Sequence, residues 1–331
     1  MNQPTMRAVL MIGRGEPDVL VTADTPRPGP GPGQILVEVA ASGVNRADLL
    51  QRRGRYPVPP GFPENILGLE YSGRVAALGA GVSSWNVGDP VMGITGGGAY
   101  AQYVVVHERE AISTPDGMDL VEAGAIPEAY LTAFDALMAQ MGLEAGESVL
   151  IHAVGSGVGT AALQLARWSG ARTFGTSRTL EKLRRARELG LEHGVQGGAD
   201  GWSDAVLDLT DGRGVDVILD LVGGPYLSEN VRSLAAGGRI ITVGVTGGAE
   251  ATLSLRGLMA KRGSITGTVL RARPMEEKAT LAQRFGRVAL AALTEGRMKP
   301  VVDRTFTPEQ APEAHRHMET NLNFGKLLIV W

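Results

Sequence analysis

Two rhythms of apolar and polar positions divide the chain. Between residues 6 and 126, short apolar runs are broken by Pro and Gly, and the runs 7–12, 34–40, 73–78, 90–93 and 100–106 predict the strands of an antiparallel β domain. The alternating Pro26, Pro28, Pro30 and Pro32 predict an extended loop that feeds the strand beginning at Gln34. From Pro127 the pattern changes to helix, strand, helix, strand. Residues 128–141 carry apolar side chains at helical spacing and 148–154 form an apolar run. Later strands are expected at 172–176, 215–222, 239–244 and 264–268, with amphipathic helices near 179–189 and 225–235. Such alternation implies a parallel sheet, and the count suits a six-stranded doubly wound α/β fold. After Thr268 a helix over 276–295 and a strand over 326–330 are expected, the latter returning to the first domain. The expected division is 1–128, 129–267 and 268–331.

One turn in this pattern carries chemistry. The residues from Val149 to Ala166 read as strand, glycine turn and helix, with Gly155, Ser156, Gly157, Val158 and Gly159 in the turn. Glycines let the backbone approach a pyrophosphate closely, and the helix start offers unpaired N–H donors and the positive end of its dipole to that anion. The bland alternative is a tight strand-to-helix turn. The next strand ends at Thr176, Ser177 and Arg178, with Lys182 one turn into the following helix, and no acid occurs between Gly159 and Glu181. An acid there would bind the ribose hydroxyl of NAD, whereas Arg and hydroxyl groups accommodate a 2′-phosphate, so Ser177, Arg178 and Lys182 point to NADP(H). The alternative for Arg178 and Lys182 is a solvated helix start.

Composition narrows the picture further. The 331 residues exceed one ordinary domain, which suggests roughly two. A net charge of -3 and a pI near 6.0 give no basic footprint for nucleic acid. There is no cysteine, which removes disulfides, thiolate nucleophiles and Cys-ligated zinc. No run of about 18 apolar residues occurs, and residues 1–10 lack the pattern of a leader, so a cytoplasmic protein without a membrane partner is expected. His315 and His317 lie about 200° apart on a helix and make a poor metal pair; they are expected at the surface.

Longer stretches resemble a known family. The residues from Ala41 to Tyr56, those from Asn65 to Gly73, the turn from Ala153 to Gly159, Lys261-Arg262-Gly263-Ser264, Glu313-Ala314-His315 and Asn323-Phe324-Gly325-Lys326 together resemble the zinc-independent quinone oxidoreductase branch of the medium-chain dehydrogenase/reductase superfamily, in particular the group around the p53-inducible quinone reductase. The resemblance covers nearly the whole chain. It implies a GroES-like β domain built from both chain ends, a Rossmann domain between them, and a homodimer paired through Rossmann sheet edges. Zinc-dependent relatives have Gly-His-Glu where this chain has Gly68-Leu69-Glu70, and Leu69 cannot ligate a metal, so no metal is expected.

The resemblance also implies site residues. Tyr56 and Ser156 match residues implicated in quinone reduction, and Asn45 matches one near the nicotinamide. A phenol and a hydroxyl could stabilise the oxyanion of a reduced quinone without a metal. Packing remains open for Tyr56, and a phosphate-loop role for Ser156. The implied NADPH contacts are Asn45, Thr132, Gly155, Ser156, Gly157, Val158, Gly159, Ser177, Arg178, Lys182, Val243, Gly244, Val269, Asn323 and Lys326. Gly197 stands where the relative has an aromatic residue near the adenosine. The expected activity is NADPH-dependent quinone reduction without flavin. Reduction of activated C=C bonds in enones or alkenals, and NADPH binding without useful turnover, are the alternatives.

Overall fold

The computed structural model describes residues 4–198 and 201–331; positions 1–3, part of the stretch read for a leader, and 199–200 lie outside the described residues. The chain folds as two compact units, Met1–Leu131 with Leu270–Trp331, and Thr132–Val269. The expected changeovers were after residues 128 and 267.

The first unit begins with an antiparallel pair, β1 (Thr5–Met11) and β2 (Leu20–Pro26). Its main sheet uses β3 (Gln34–Val44), β4 (Glu70–Leu78), β5 (Pro90–Ile94), β6 (Tyr103–His107) and β7 (Ala111–Ser113). The second unit supplies β8 (Ser148–Ile151), β9 (Arg172–Ser177), β10 (His193–Gln196), β11 (Val215–Asp220), β12 (Leu234–Thr242) and β13 (Ser264–Gly267). The chain then re-enters the first unit with β14 (Val302–Phe306) and β15 (Lys326–Val330). β15 pairs antiparallel with β3, as its expected return requires. The domain is not wholly antiparallel: β14 runs parallel to β15, because the Ala311–Glu319 helix carries the chain back between them.

The second unit is a six-stranded parallel sheet in the order β10-β9-β8-β11-β12-β13, with the reversal of strand order between β8 and β11. The strand ends near this reversal are tied by a buried polar chain. Asn230 donates from Nδ2 to Asp220 (2.9 Å), so its Oδ1 is left to accept from His152 Nε2 (2.6 Å), and His152 Nδ1 then accepts from the Thr176 hydroxyl (2.9 Å). Burial holds His152 below the ordinary histidine range, consistent with that neutral form.

The histidines of the carboxyl-terminal helix correct the sequence reading. His315 is fully buried, and His317 is mostly covered, 3.3 Å from Asp303. Helical spacing turns His315 inward, where it joins a second polar chain. Tyr100 donates its hydroxyl to Asp48 (3.2 Å), His315 Nε2 lies 3.3 Å from that hydroxyl, and Arg52 Nη1 lies 3.2 Å from His315 Nδ1. The directions are consistent only with a neutral His315 that accepts from Arg52 and donates to Tyr100. Asp48 also accepts from the amides of Asn45 (2.8 Å) and Gly68 (3.1 Å), which fixes the start of the Arg46–Arg52 helix.

Burial, and the Arg52 charge beside it, push His315 down to about 3. The folded chain therefore binds fewer protons at this residue than the unfolded chain between the ordinary histidine range and that value, so stability falls as pH drops through the window. Asp48, raised to about 6 by burial, acts in the opposite sense. Unfolding in urea should show that wild type loses about 1 kcal/mol per pH unit below the histidine range relative to His315→Gln, which keeps hydrogen-bonding groups without titrating there. Parallel pH profiles for the two proteins would show that His315 is not held neutral.

Candidate functional site

Burying a carboxylate demands partners, and Glu70 obtains them from three directions. It opens β4 at zero exposure. Lys326, which opens β15, donates to Glu70 Oε1 (2.5 Å), to Asn45 Oδ1 (2.6 Å) and to the Val44 carbonyl (3.2 Å). Asn45 Nδ2 donates to Glu70 Oε1 (2.8 Å), and the Glu128 amide donates to Glu70 Oε2 (2.8 Å). Strand register makes this possible, since Leu327 is paired with Val44. The carboxylate also lies against Gly43, where a Cβ would come within 2.0 Å of Glu70 Oε1.

Tyr56 lies in the loop after the Arg46–Arg52 helix, with the Arg271 guanidinium 5.1 Å from its ring centre. Arg271 donates to Gln51 Oε1 (2.6 Å) and to the Gly96 carbonyl (2.6 Å). Burial raises the Tyr56 hydroxyl above its ordinary range, and the nearby Glu128 adds to this. Burial lowers Arg271. Glu128 is pushed up to about 8, first by burial and then by the charge of Glu70. Both effects favour the protonated carboxyl.

The structure thus brings Asn45 and Lys326 together, joins Tyr56 to the same helix through Arg271 and Gln51, and leaves Asn323 apart, donating to the Gly325 carbonyl (2.9 Å). Glu70, Glu128, Asp48 and Arg271 are not marked as site residues by the sequence. The available signals were a carboxylate at the mouth of an apolar strand and the pair Pro127-Glu128 at a helix start.

In the second unit the selected residues follow the carboxyl ends of parallel strands, hence one edge of the sheet. Gly155 to Gly159 follow β8, Ser177 ends β9 and Arg178 follows it, Val243 and Gly244 follow β12, and Val269 follows β13. Lys182 lies in the Leu180–Glu188 helix, and Thr132 in the Pro127–Phe134 helix. Ser156 caps the twelve-residue Gly157–Trp168 helix, accepting from the Gly159 amide at 3.0 Å. A Cβ at Gly159 would lie 2.4 Å from the Ala153 carbonyl, so glycine is required for the tight turn. That glycine-lined helix start fits a pyrophosphate. At Gly197 a Cβ would approach the Tyr226 hydroxyl at 2.8 Å, so Tyr226 already fills the space that a side chain there would enter.

Comparison with known proteins agrees with this architecture. Residues 31–116 match the alcohol dehydrogenase GroES-like domain, and residues 157–290 match the zinc-binding dehydrogenase family. A quinone oxidoreductase of Rattus norvegicus is 31% identical, with 99% of this chain and 98% of that protein covered. A quinone oxidoreductase of Homo sapiens is 32% identical over 96% of this chain and 94% of its own length. Among solved structures, an NAD-dependent alcohol dehydrogenase superposes with a TM-score of 0.88 at 33% identity, covering 98% of this chain and 100% of its own. CurK enoyl reductase superposes with a TM-score of 0.86 at 26% identity, covering 99% of both chains. With its GroES-like domain, its parallel nucleotide-type sheet and full-length relatives of this kind, the chain belongs to the medium-chain dehydrogenase/reductase superfamily, whose members are oxidoreductases that bind a nicotinamide cofactor.

Proposed function

We propose that the chain is an NADPH-dependent quinone oxidoreductase that works without metal or flavin. The observation that carries this reading is full-length likeness to quinone oxidoreductases in a chain whose Leu69 and lack of cysteine remove the ligands a catalytic zinc would need. Bound NADPH supplies the hydride. The chain's own part is to hold the pyrophosphate at the Gly157–Trp168 helix start, to engage the 2′-phosphate through Ser177, Arg178 and Lys182, and to orient the acceptor with Asn45 and Tyr56. The Tyr56 hydroxyl, protonated at neutral pH as any phenol is, serves as an oxyanion donor. Ser156 serves the turn as its helix cap. A second reading, reduction of activated C=C bonds, is favoured by the likeness to CurK enoyl reductase, since the same donors stabilise an enolate.

We further propose a homodimer. β13 is an edge strand of its sheet, and the adjoining Leu255–Lys261 helix has no buried residue, with Leu255 66% and Met259 76% exposed. Sedimentation at twice the chain mass is expected; sedimentation as a monomer at micromolar concentration would remove this part of the proposal.

Kinetics with NADPH and NADH against a quinone and an enone test the functional reading. A hydrogen bond to a charged group contributes about 1.5–3 kcal/mol, reduced by solvent screening at exposed Arg178. Wild type should prefer NADPH by roughly ten- to a hundredfold, and Arg178→Ala with Lys182→Ala should remove most of that preference while sparing NADH. Equal kcat/KM for both cofactors in wild type, or equal loss of both in the double variant, would overturn the cofactor assignment. Faster turnover of the enone than of any quinone would favour the second reading.

A further inference from the structure

Three carboxyls and two cations meet in the first unit: Asp48, Glu70 and Glu128 against Lys326 and Arg271. Two of the carboxyls are fully buried and fully supplied with donors. Asp48 accepts from Tyr100 and from two backbone amides, and Glu70 accepts from Lys326, Asn45 and the Glu128 amide. Glu128 differs. Among the described residues its carboxyl has no hydrogen bond or ion pair, and it alone of the three keeps exposed surface.

A second observation marks the place as one that receives a ligand. Arg271 is 6% exposed, and with Nε and Nη2 committed to Gly96 and Gln51 its Nη1 is buried without a partner. A buried donor left unmatched is costly and rare, and this one belongs to a guanidinium that lies over the Tyr56 ring. An acceptor oxygen placed there would meet Arg271 Nη1 beside the Tyr56 ring.

We propose that Glu128 is the proton donor for the acceptor, completing at its oxygen the reduction that hydride transfer begins. The proposal rests on the reductase reading given above. Bound NADPH would supply a hydride, that is two electrons and one proton, which the acceptor gains. Negative charge then develops on the acceptor oxygen, the Glu128 O–H bond breaks, and the O–H bond of the quinol or enol forms. Glu128 is left as a carboxylate beside Arg271 and regains its proton from solvent. Burial and the charges of Glu70 and Asp48 favour the protonated form, while Lys326 and Arg271 oppose them; the balance places Glu128 at about 8. A donor poised near the working pH is what general acid catalysis requires.

The test combines pH profiles with infrared spectroscopy on wild type, Glu128→Gln and Glu128→Asp. Wild-type kcat should fall as pH rises through about 8. Glu128→Gln should lower kcat roughly a hundredfold or more and abolish that fall, with the NADPH dissociation constant unchanged, and Glu128→Asp should recover part of the rate. At neutral pH the C=O band of a protonated carboxyl should be present in wild type, absent in Glu128→Gln, and lost from wild type on the same pH rise. Turnover by wild type that Glu128→Gln leaves intact, or absence of the band at neutral pH, overturns the inference alone. No turnover of any acceptor by wild type would overturn the functional reading and this inference with it.

Discussion

The burial of Glu70 is the constraint on which the candidate site depends. A carboxylate taken out of water is tolerated only where charge and hydrogen bonds replace its hydration, and removing one partner of such a pair typically costs about 3–5 kcal/mol. Lys326 meets that demand from a strand separated from Glu70 by 256 positions in the sequence. The ammonium reaches it because β15 lies beside β3, so the return of the chain to the first unit is part of the site's chemistry. The same carboxylate orients the Asn45 amide and anchors the first turn of the helix that carries Glu128. Asn45 in turn precedes the helix whose Asp48 is held by Tyr100, which is itself tied to His315 and through it to Arg52.

This dependence explains what was legible in the sequence. The glycine turn was readable because its requirement is local: Gly159 is needed by the carbonyl of Ala153, six positions away. The strand over 326–330 was readable because its apolar run is continuous, and the structure places β15 at Lys326–Val330. β10 was not, since in His193-Gly194-Val195-Gln196 only Val195 is buried, which leaves no pattern to detect. β2 was obscured by the proline run that begins at its last residue, Pro26. The helix expected over 276–295 proves to be two, Met275–Val288 and Leu290–Thr294.

The site was legible only in part for a different reason. Asn45 and Lys326 could be selected through resemblance, but their partner Glu70 could not be recognised from spacing, because an acid at a strand mouth reads as an exposed one. His315 was misjudged on the same ground, as its helix shows its inward face only once packed against Tyr100. Glu128 and Arg271 owe their properties to the folded surroundings: burial and then the charge of Glu70 raise the one, and Gly96 and Gln51 fix the other.

A lysine ammonium, a glutamate and an asparagine are joined in the first unit, and on the function proposed above they organise the acceptor side where a zinc-dependent relative would use a metal ion. Leu69, beside Glu70, offers no ligand, and no group of three or more metal-binding side chains occurs among the described residues. The most direct measurement determines metal content and NADPH-dependent quinone turnover on the same preparation, before and after exhaustive chelation. Substoichiometric metal and unchanged turnover after chelation are expected. Turnover lost on chelation and restored by zinc would contradict it.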